Sequence, residues 1–461
     1  MNMPRLLIAA PMSGSGKTTI TAGLLAAFAA RGLHVAAFKV GPDYIDPTYH
    51  ALATGRPSYN LDTWLLPPDR VLNLFLHRAK NADLALIEGM MGLFDGYSGA
   101  DDTGSAAHVA RTISTPVILV LNVEAMGGSA AAVVQGFRDF DLRVQLAGVI
   151  LNKVGGEAHA RLIQTAIGRS VPVLGYLAAD ERLRLPERHL GLIPALEVER
   201  WQSWLATVRE KIAATLDLDR LLEVAHSASA LAQPKDDLFT LSAPRATIAV
   251  ARDAAFSFLY DDTLDLLRAA GAKLALFSPL EDATLPEGTQ AIYLCGGFPE
   301  RYAAALAANT PMQAAIRAAF TAQLPIYAEC GGLMYLTEGI VDEHDNTYPM
   351  VGLLKGKSIV TPHLNIGYRE VSTRHDSWLW RAGEILRGHE FHYSTWQAGS
   401  EASAYALEGE RFEGAQIGSL IASYLHLHFL ACPDLAYRFV EAASKSKTKV
   451  PLPECRPNLK S

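Results

Sequence analysis

From residue 5 to about residue 200, short runs of consecutive apolar residues alternate with longer segments in which apolar positions recur at helical spacing. The runs are Leu6 to Ala10, Val35 to Val40, Leu84 to Glu88, Val117 to Leu121, Leu146 to Leu151 and Val173 to Tyr176. Unbroken apolar runs predict strands buried on both faces, and the helical segments between them predict crossovers, so a parallel sheet with helices on both faces is expected. Helical patterns over Trp201 to Leu216 and Leu218 to Ala225 close this region. The small, polar, Pro-bearing stretches SASALAQPKDD and TLSAPRAT then mark a linker over 226–244. A second α/β pattern opens with ATIAVA at Ala246. The expected organisation is therefore an α/β chain of two domains, 1–225 and 245–461, each a mostly parallel sheet with helices on both faces.

Length and composition agree with that division. A chain of 461 residues exceeds what one hydrophobic core ordinarily serves. Its 49% hydrophobic and 19% charged content fits a globular protein, and the apolar run Pro116 to Val123 is far too short to span a membrane. The apolar start MNMPRLLIAA leads directly into a phosphate loop, so it reads as a first strand rather than a signal peptide. A net charge of −7 without a basic stripe argues against nucleic-acid or anionic-membrane partners and points to small molecules. The cysteines Cys295, Cys330, Cys432 and Cys455 form no close pair, which suits a reducing cytoplasm better than a disulfide framework or a zinc site.

The candidate chemistry begins in the stretch LIAAPMSGSGKTTI, ending at Ile20. An apolar run gives way to Ser13-Gly14-Ser15-Gly16, and Lys17-Thr18-Thr19 opens a helical pattern. This is the strand, loop and helix N-terminus of a P-loop: backbone N–H groups wrap phosphate oxygens, Lys17 reaches the β and γ phosphates, and the Thr18 hydroxyl ligates Mg²⁺. The first glycine of the usual spacing is replaced by Pro11, and the longer loop resembles the dethiobiotin synthetase and partition-ATPase branch.

Ligands on parallel sheets sit at the carboxyl ends of strands, so the residues after each run carry the next candidates. Behind the second run, Lys39 to Pro47 contains Asp43, Tyr44 and Asp46; the two acids suit Mg²⁺ or a substrate group, or equally a turn in which Asp caps and Pro bends. Glu88 ends the third run, in the position of a carboxylate that orients Mg²⁺, and Asp95 follows as either a functional or a solvated loop carboxylate. Asn152-Lys153 ends the fifth run, as a base contact or a helix cap.

In the second domain, LPIYAECGGLMYL reads as a strand, a sharp turn bearing Cys330, and a helix. This design lifts a thiol nucleophile out of the turn, with the helix N-terminus favouring thiolate and the Gly331 N–H facing an oxyanion. Gly296 and Gly297 of LCGGFPE are further N–H donors, whereas their neighbour Cys295 is read as structural. The run IASYLHLHF places His426 and His428 on one side of a strand; one serves as the base for Cys330 and the other as its orienting neighbour or a packing residue.

These residues make the second domain resemble a class I glutamine amidotransferase of flavodoxin-like fold, with Cys330 as nucleophile and His426 as its base. The usual His-Pro-Glu ending is replaced by His426-Leu427-His428, so the third triad member is missing from its expected place. Taken with APMSGSGKTT, FKVGPDYIDPTYH, NLDTW, IEGMMGLFDG, RGHEFHYS and SYLHLHF, nearly the whole chain resembles the cobyrinic acid a,c-diamide synthase family. That resemblance implies ATP and L-glutamine as co-substrates, Mg²⁺ held by Thr18, Asp46 and Glu88, and Lys39, Asp43, Tyr44, Asp46 and Asp95 in substrate or Mg²⁺ handling. It further implies a corrin acceptor whose a and c acetates are amidated through acyl phosphates, and a homodimer. Nickel sirohydrochlorin and hydrogenobyrinic acid stay open as acceptors. A partition-type switch ATPase is the competing class, though it usually carries an early P-loop lysine that Ala10-Pro11-Met12-Ser13 lacks.

Overall fold

In a computed structural model, residues 2–446 are described apart from 100, 169, 186, 189–190, 193–200, 234–237 and 398–401. The expected linker therefore lies partly, and the end of the expected second domain wholly beyond 446, outside the described residues. The chain divides into two compact units between Leu238 and Phe239.

The first unit is built on seven strands, β1 (Arg5–Ala9), β2 (Val35–Val40), β3 (Ser58–Leu61), β4 (Leu84–Glu88), β5 (Val117–Asn122), β6 (Leu146–Val154) and β7 (Val173–Ala178). All pair in parallel in the order β3-β2-β4-β1-β5-β6-β7. Every residue of β1 and β4 is buried, which is why these strands read as unbroken apolar runs rather than as alternation. Arg5 is the exception in composition and not in burial: its guanidinium donates to the carbonyls of Met3, Ile113, Ser114 and Ser229 at 2.6–2.9 Å. On one face the helix Lys17–Ala30 packs against the helix Trp201–Thr215. A Cβ on Gly23 would meet Val208 at 2.5 Å and Ile212 at 2.8 Å, so this glycine sets the closeness of the two helices. A short hairpin, β8 (Glu187–Arg188) and β9 (Gly191–Leu192), belongs to the same unit.

The second unit holds two sheets. One is formed by β10 (Ala246–Ala251), β11 (Ala272–Phe277), β12 (Ala291–Leu294), β13 (Ile326–Glu329), β20 (Ala415–Ile417) and β21 (Leu420–Ser423) in the order β11-β10-β12-β13-β21-β20, parallel except for the β20–β21 edge. The other comprises β14 (Thr337–Val341), β15 (Thr347–Pro349), β16 (Leu354–Thr373), β17 (Ile385–Trp396), β18 (Tyr405–Ala406), β19 (Phe412–Glu413) and β22 (His426–Leu427). It is mostly antiparallel and adds to the expected parallel architecture a layer that the apolar pattern did not announce. No helix among the described residues is long and apolar enough to cross a membrane.

Candidate active sites

In the first unit, the loop between β1 and the helix Lys17–Ala30 carries Gly14 and Gly16 at φ 74° and 92°. Gly16 is required twice over, by that φ and by space, because a Cβ there would lie 2.2 Å from Asn152 Nδ2. The Asn152 amide donates to Ser15 O at 2.9 Å, so β6 braces the loop from below, while Lys153 extends to Glu124 Oε2 at 3.5 Å. Ser15 Oγ closes the loop on Met12 O at 2.9 Å; Ser13 and Gly14 are exposed, and Thr19 is half-buried behind them. Lys17 is buried and donates to Met91 O at 2.6 Å and Met12 O at 3.3 Å. Burial, reinforced by Lys39, lowers its ammonium to about 8.

Sheet register gathers the acids. Lys39 on β2 lies directly across from Glu88 on β4, and Glu88 across from Ile8 on β1, just before the P-loop. Lys39 Nζ donates to Glu88 Oε1 at 3.1 Å, pairs with Asp46 and stands 3.6 Å from Asp43 Oδ2. The Thr18 hydroxyl donates to Glu88 Oε1 at 2.7 Å and lies 3.3 Å from Asp46 Oδ2. Burial alone would raise Glu88, but the Lys39 charge and hydrogen bonds from His50 and Thr18 hold its carboxyl well below the usual range. Asp43 forms the turn: Oδ1 accepts from the N–H groups of Ile45 and Asp46, while Oδ2 faces Lys39. Tyr44 is buried beside it. Asp95 is exposed and accepts from the Gly92 N–H at 2.7 Å.

His50 was not singled out by the sequence. It donates from Nε2 to Glu88 Oε2 at 2.6 Å and receives Ser58 Oγ at Nδ1, 3.0 Å away. The available signal was its spacing of four from Asp46 on one helix, which places both on the same face. The site offers a hydroxyl and carboxylates around one ammonium. Its hard oxygens and surplus negative charge fit Mg²⁺, which prefers one or two carboxylates plus phosphate oxygens to an all-protein cage.

In the second unit, β13 ends at Glu329, Cys330 takes φ 46° and ψ −103°, and the short helix Gly331–Leu336 follows. This strained turn is the strand–elbow–helix expected from the sequence. The N–H groups of Gly331 and Gly297 point at the Cys330 sulfur, and the thiol itself is 3.6 Å from Phe391 O. Neither glycine nearby tolerates a side chain: a Cβ on Gly297 would meet Ala255 O at 2.1 Å, and one on Gly332 Leu294 O at 2.3 Å. Cys295 is buried with its thiol on Ala251 O at 3.3 Å.

The continuous strand expected over 421–429 is broken. β21 ends at Ser423, β22 contains only His426 and Leu427, and His428 lies beyond it with its ring 4.4 Å from that of Tyr260. His426 is fully buried against Gly296, whose added Cβ would stand 2.2 Å from His426 Cε1, and its Nδ1 is 4.0 Å from Glu329 Oε2. Gly296 thus supplies clearance for the imidazole. Burial drives Cys330 upward and, with the neighbouring His389 and His392, drives His426 down to about 3. Burial thus works against the thiolate that the N-terminus of this six-residue helix favours, and against an imidazolium at His426.

Gly296→Ala is expected to push the His426 ring aside and lower glutamine-dependent turnover about 10- to 100-fold, the usual effect of an ångström-scale misplacement. Ammonia-dependent turnover should be unchanged, and comparing the two rates checks it.

Two family models match the chain: a CobQ/CobB/MinD/ParA nucleotide binding domain over residues 6–193 and a CobB/CobQ-like glutamine amidotransferase domain over residues 247–433. The chain is 46% identical over 454 residues to a cobyrinate a,c-diamide synthase of Dehalococcoides mccartyi, covering 95% of this chain and 98% of that one. It is 41% identical over 455 residues to the enzyme of that name from Priestia megaterium, with 97% and 98% covered. Against the enzyme of that name from Listeria innocua it is 43% identical over 455 residues, with 96% and 100% covered.

Proposed function

The chain belongs to the cobyrinate a,c-diamide synthase family, and from that membership we propose that it amidates the a and c acetate side chains of cobyrinic acid with ATP and glutamine, in cobalamin biosynthesis. The observation that supports this most is the presence, in one chain, of a phosphate loop facing a Lys-carboxylate cluster and of a strained cysteine elbow whose sulfur faces the Gly297 and Gly331 N–H groups.

A carboxylate resists nucleophiles because of its charge and because oxide is a poor leaving group. Transfer of the ATP γ-phosphoryl group to its oxygen gives an acyl phosphate that ammonia can attack. In this proposal Lys17 exchanges the Met91 and Met12 carbonyls for phosphate oxygens, and the loop N–H groups from Ser13 to Thr19 hold the rest of the phosphate chain. Lys39, Asp43, Tyr44 and Asp95 line the acceptor side. Thr18, Asp46 and Glu88 would hold Mg²⁺, which neutralises phosphate charge. Asn152 acts by bracing the loop, with Lys153 beside it near the base.

Ammonia comes from glutamine. Cys330 Sγ attacks the side-chain carboxamide carbon as its proton passes to His426, and the Gly297 and Gly331 N–H groups receive the oxyanion. His426 returns the proton to the departing ammonia, and water then hydrolyses the glutamyl thioester. A homodimer and a cytoplasmic location complete the proposal; the free thiols of Cys295, Cys330 and Cys432 suit the latter.

The test is incubation with Mg-ATP, glutamine and cobyrinic acid, following the mass of the tetrapyrrole together with glutamate and phosphate. Two carboxyls converted to amides, with one glutamate and one phosphate for each, is the expected result. Glutamate and phosphate without any change in the corrin would shift the acceptor to nickel sirohydrochlorin or hydrogenobyrinic acid. No glutamate under any condition would sink the proposal.

A further inference from the structure

The glutaminase step creates a charge that the end of the motif does not answer. When Cys330 gives up its proton, an imidazolium forms at His426, which is fully buried, lies across from His389 in the β17–β22 register and is also near His392. A buried cation among other imidazoles is costly without a carboxylate. Position 428 cannot provide one: it is a histidine, its ring lies tilted against Tyr260, and burial pulls it down to about 3.

We propose that Glu329, the residue immediately before the nucleophile, is the positioning carboxylate for His426, a role that rests on the reading of Cys330 and His426 given above. Its Oε2 faces His426 Nδ1 at 4.0 Å. The carboxylate is held from three sides. Oε1 accepts from the Leu427 N–H at 2.9 Å and the Tyr327 hydroxyl at 2.7 Å, and Oε2 accepts from the Tyr293 hydroxyl at 2.8 Å. The bond to Leu427 ties the same side chain to the backbone next to His426, so one group fixes both the strand and the face that the ring presents. Gly296 presses on the ring from another side. At 4.0 Å the Nδ1 contact is electrostatic rather than a hydrogen bond. It is weak while the ring is neutral and strengthens when the proton arrives, which is the property wanted of a group that stabilises the charged intermediate. A carboxylate on that side favours the proton on Nδ1, which assigns Nε2 the thiol proton.

The groups facing Glu329 are Tyr293 and Cys295 from β12 and its end, Tyr327 from β13, Cys330, Tyr405 from β18 and His426 from β22. None is a permanent cation, and burial lifts the Glu329 carboxyl to about 7. The ionised form is the working one, so glutamine-dependent turnover should rise as pH passes upward through about 7.

Glu329→Gln separates this role from a structural one. Its amide oxygen can keep the Leu427 and Tyr327 bonds, while its NH₂ replaces Oε2 against His426 Nδ1. With the full-length protein, Mg-ATP, cobyrinic acid and either glutamine or ammonia, kcat for glutamine is expected to fall about 100-fold, with KM within about threefold. The rising pH limb should disappear and ammonia-supported amidation should hold. A Gln variant that keeps its kcat and its limb overturns the proposal. Should the Gln variant also lose ammonia-supported amidation, Glu329→Asp decides. It keeps the charge one methylene further back, so the limb should persist with kcat about tenfold lower, whereas wild-type kcat overturns the assignment. Glutamate release surviving Cys330→Ala would instead remove the premise, and the proposal with it.

Discussion

Cys330→Ala is expected to abolish glutamine-dependent amidation, by about 10⁴-fold or more, while amidation supported by added ammonia stays within about twofold. The asymmetry follows from where the thiol sits. Cys330 is buried at a turn with φ 46°, a value that alanine must also adopt, so the substitution removes the sulfur without changing the backbone preference. The small void costs about 1 kcal/mol, too little to unfold the unit. What is lost is the attacking atom itself. The remaining N–H groups of Gly297 and Gly331 can polarise a carboxamide, but water is a far poorer nucleophile than a thiol relieved of its proton by His426. Glutamate release and tetrapyrrole mass, measured with each nitrogen source, check the prediction. A parallel fall of the ammonia-supported reaction would mean that Cys330 serves the synthetase step as well.

Much of this was legible because strands buried on both faces of a parallel sheet spell themselves as apolar runs. The bounds of β2 and β4 match the runs Val35 to Val40 and Leu84 to Glu88, and the P-loop and the elbow lie at strand ends where the pattern put them. The four-residue β3, read SYNL, has too little apolar content to stand out. The second sheet of the C-terminal unit was hidden for a different reason. β16 and β17 are long and half-exposed, with glycine, lysine and histidine interleaved, and their pairing is with each other rather than with an apolar neighbour in the sequence. His50 and Glu329 escaped notice because each acts through a partner that only register or packing supplies. His50 finds Glu88 at a separation of 38 residues, and Glu329 finds the Leu427 N–H at a separation of 98. The thiolate expectation left burial out: a one-and-a-half-turn helix gives a weak terminal field, and complete burial pushes the thiol the other way.

The same comparison of burial against pairing sets the second large effect. Glu88→Gln is expected to remove amidation by about 10²- to 10³-fold whether glutamine or ammonia supplies nitrogen, in contrast to the one-sided loss at Cys330. Glu88 has no exposed surface and receives Lys39 and Thr18 on Oε1 and His50 on Oε2. A glutamine has one acceptor oxygen where the carboxylate has two, so its NH₂ must face either the Lys39 and Thr18 donors or the His50 N–H. One of those buried donors then loses its charged acceptor, and Lys39 keeps Asp46, Asp43 and the Gly89 carbonyl without the Glu88 charge. Breaking a buried charge pair in this way costs about 3–5 kcal/mol, so the melting temperature of the variant should fall along with its activity. Rates taken well below that new melting temperature separate the two effects. If stability alone were at stake, activity would return on cooling. If Glu88 orients the Thr18 hydroxyl and balances the phosphate site, the deficit persists in folded protein with both nitrogen sources. Ammonia-supported amidation within about tenfold of the wild type, in a folded variant, would sink this role. It would move the essential negative charge from Glu88 to Asp46, the other carboxylate within reach of Thr18.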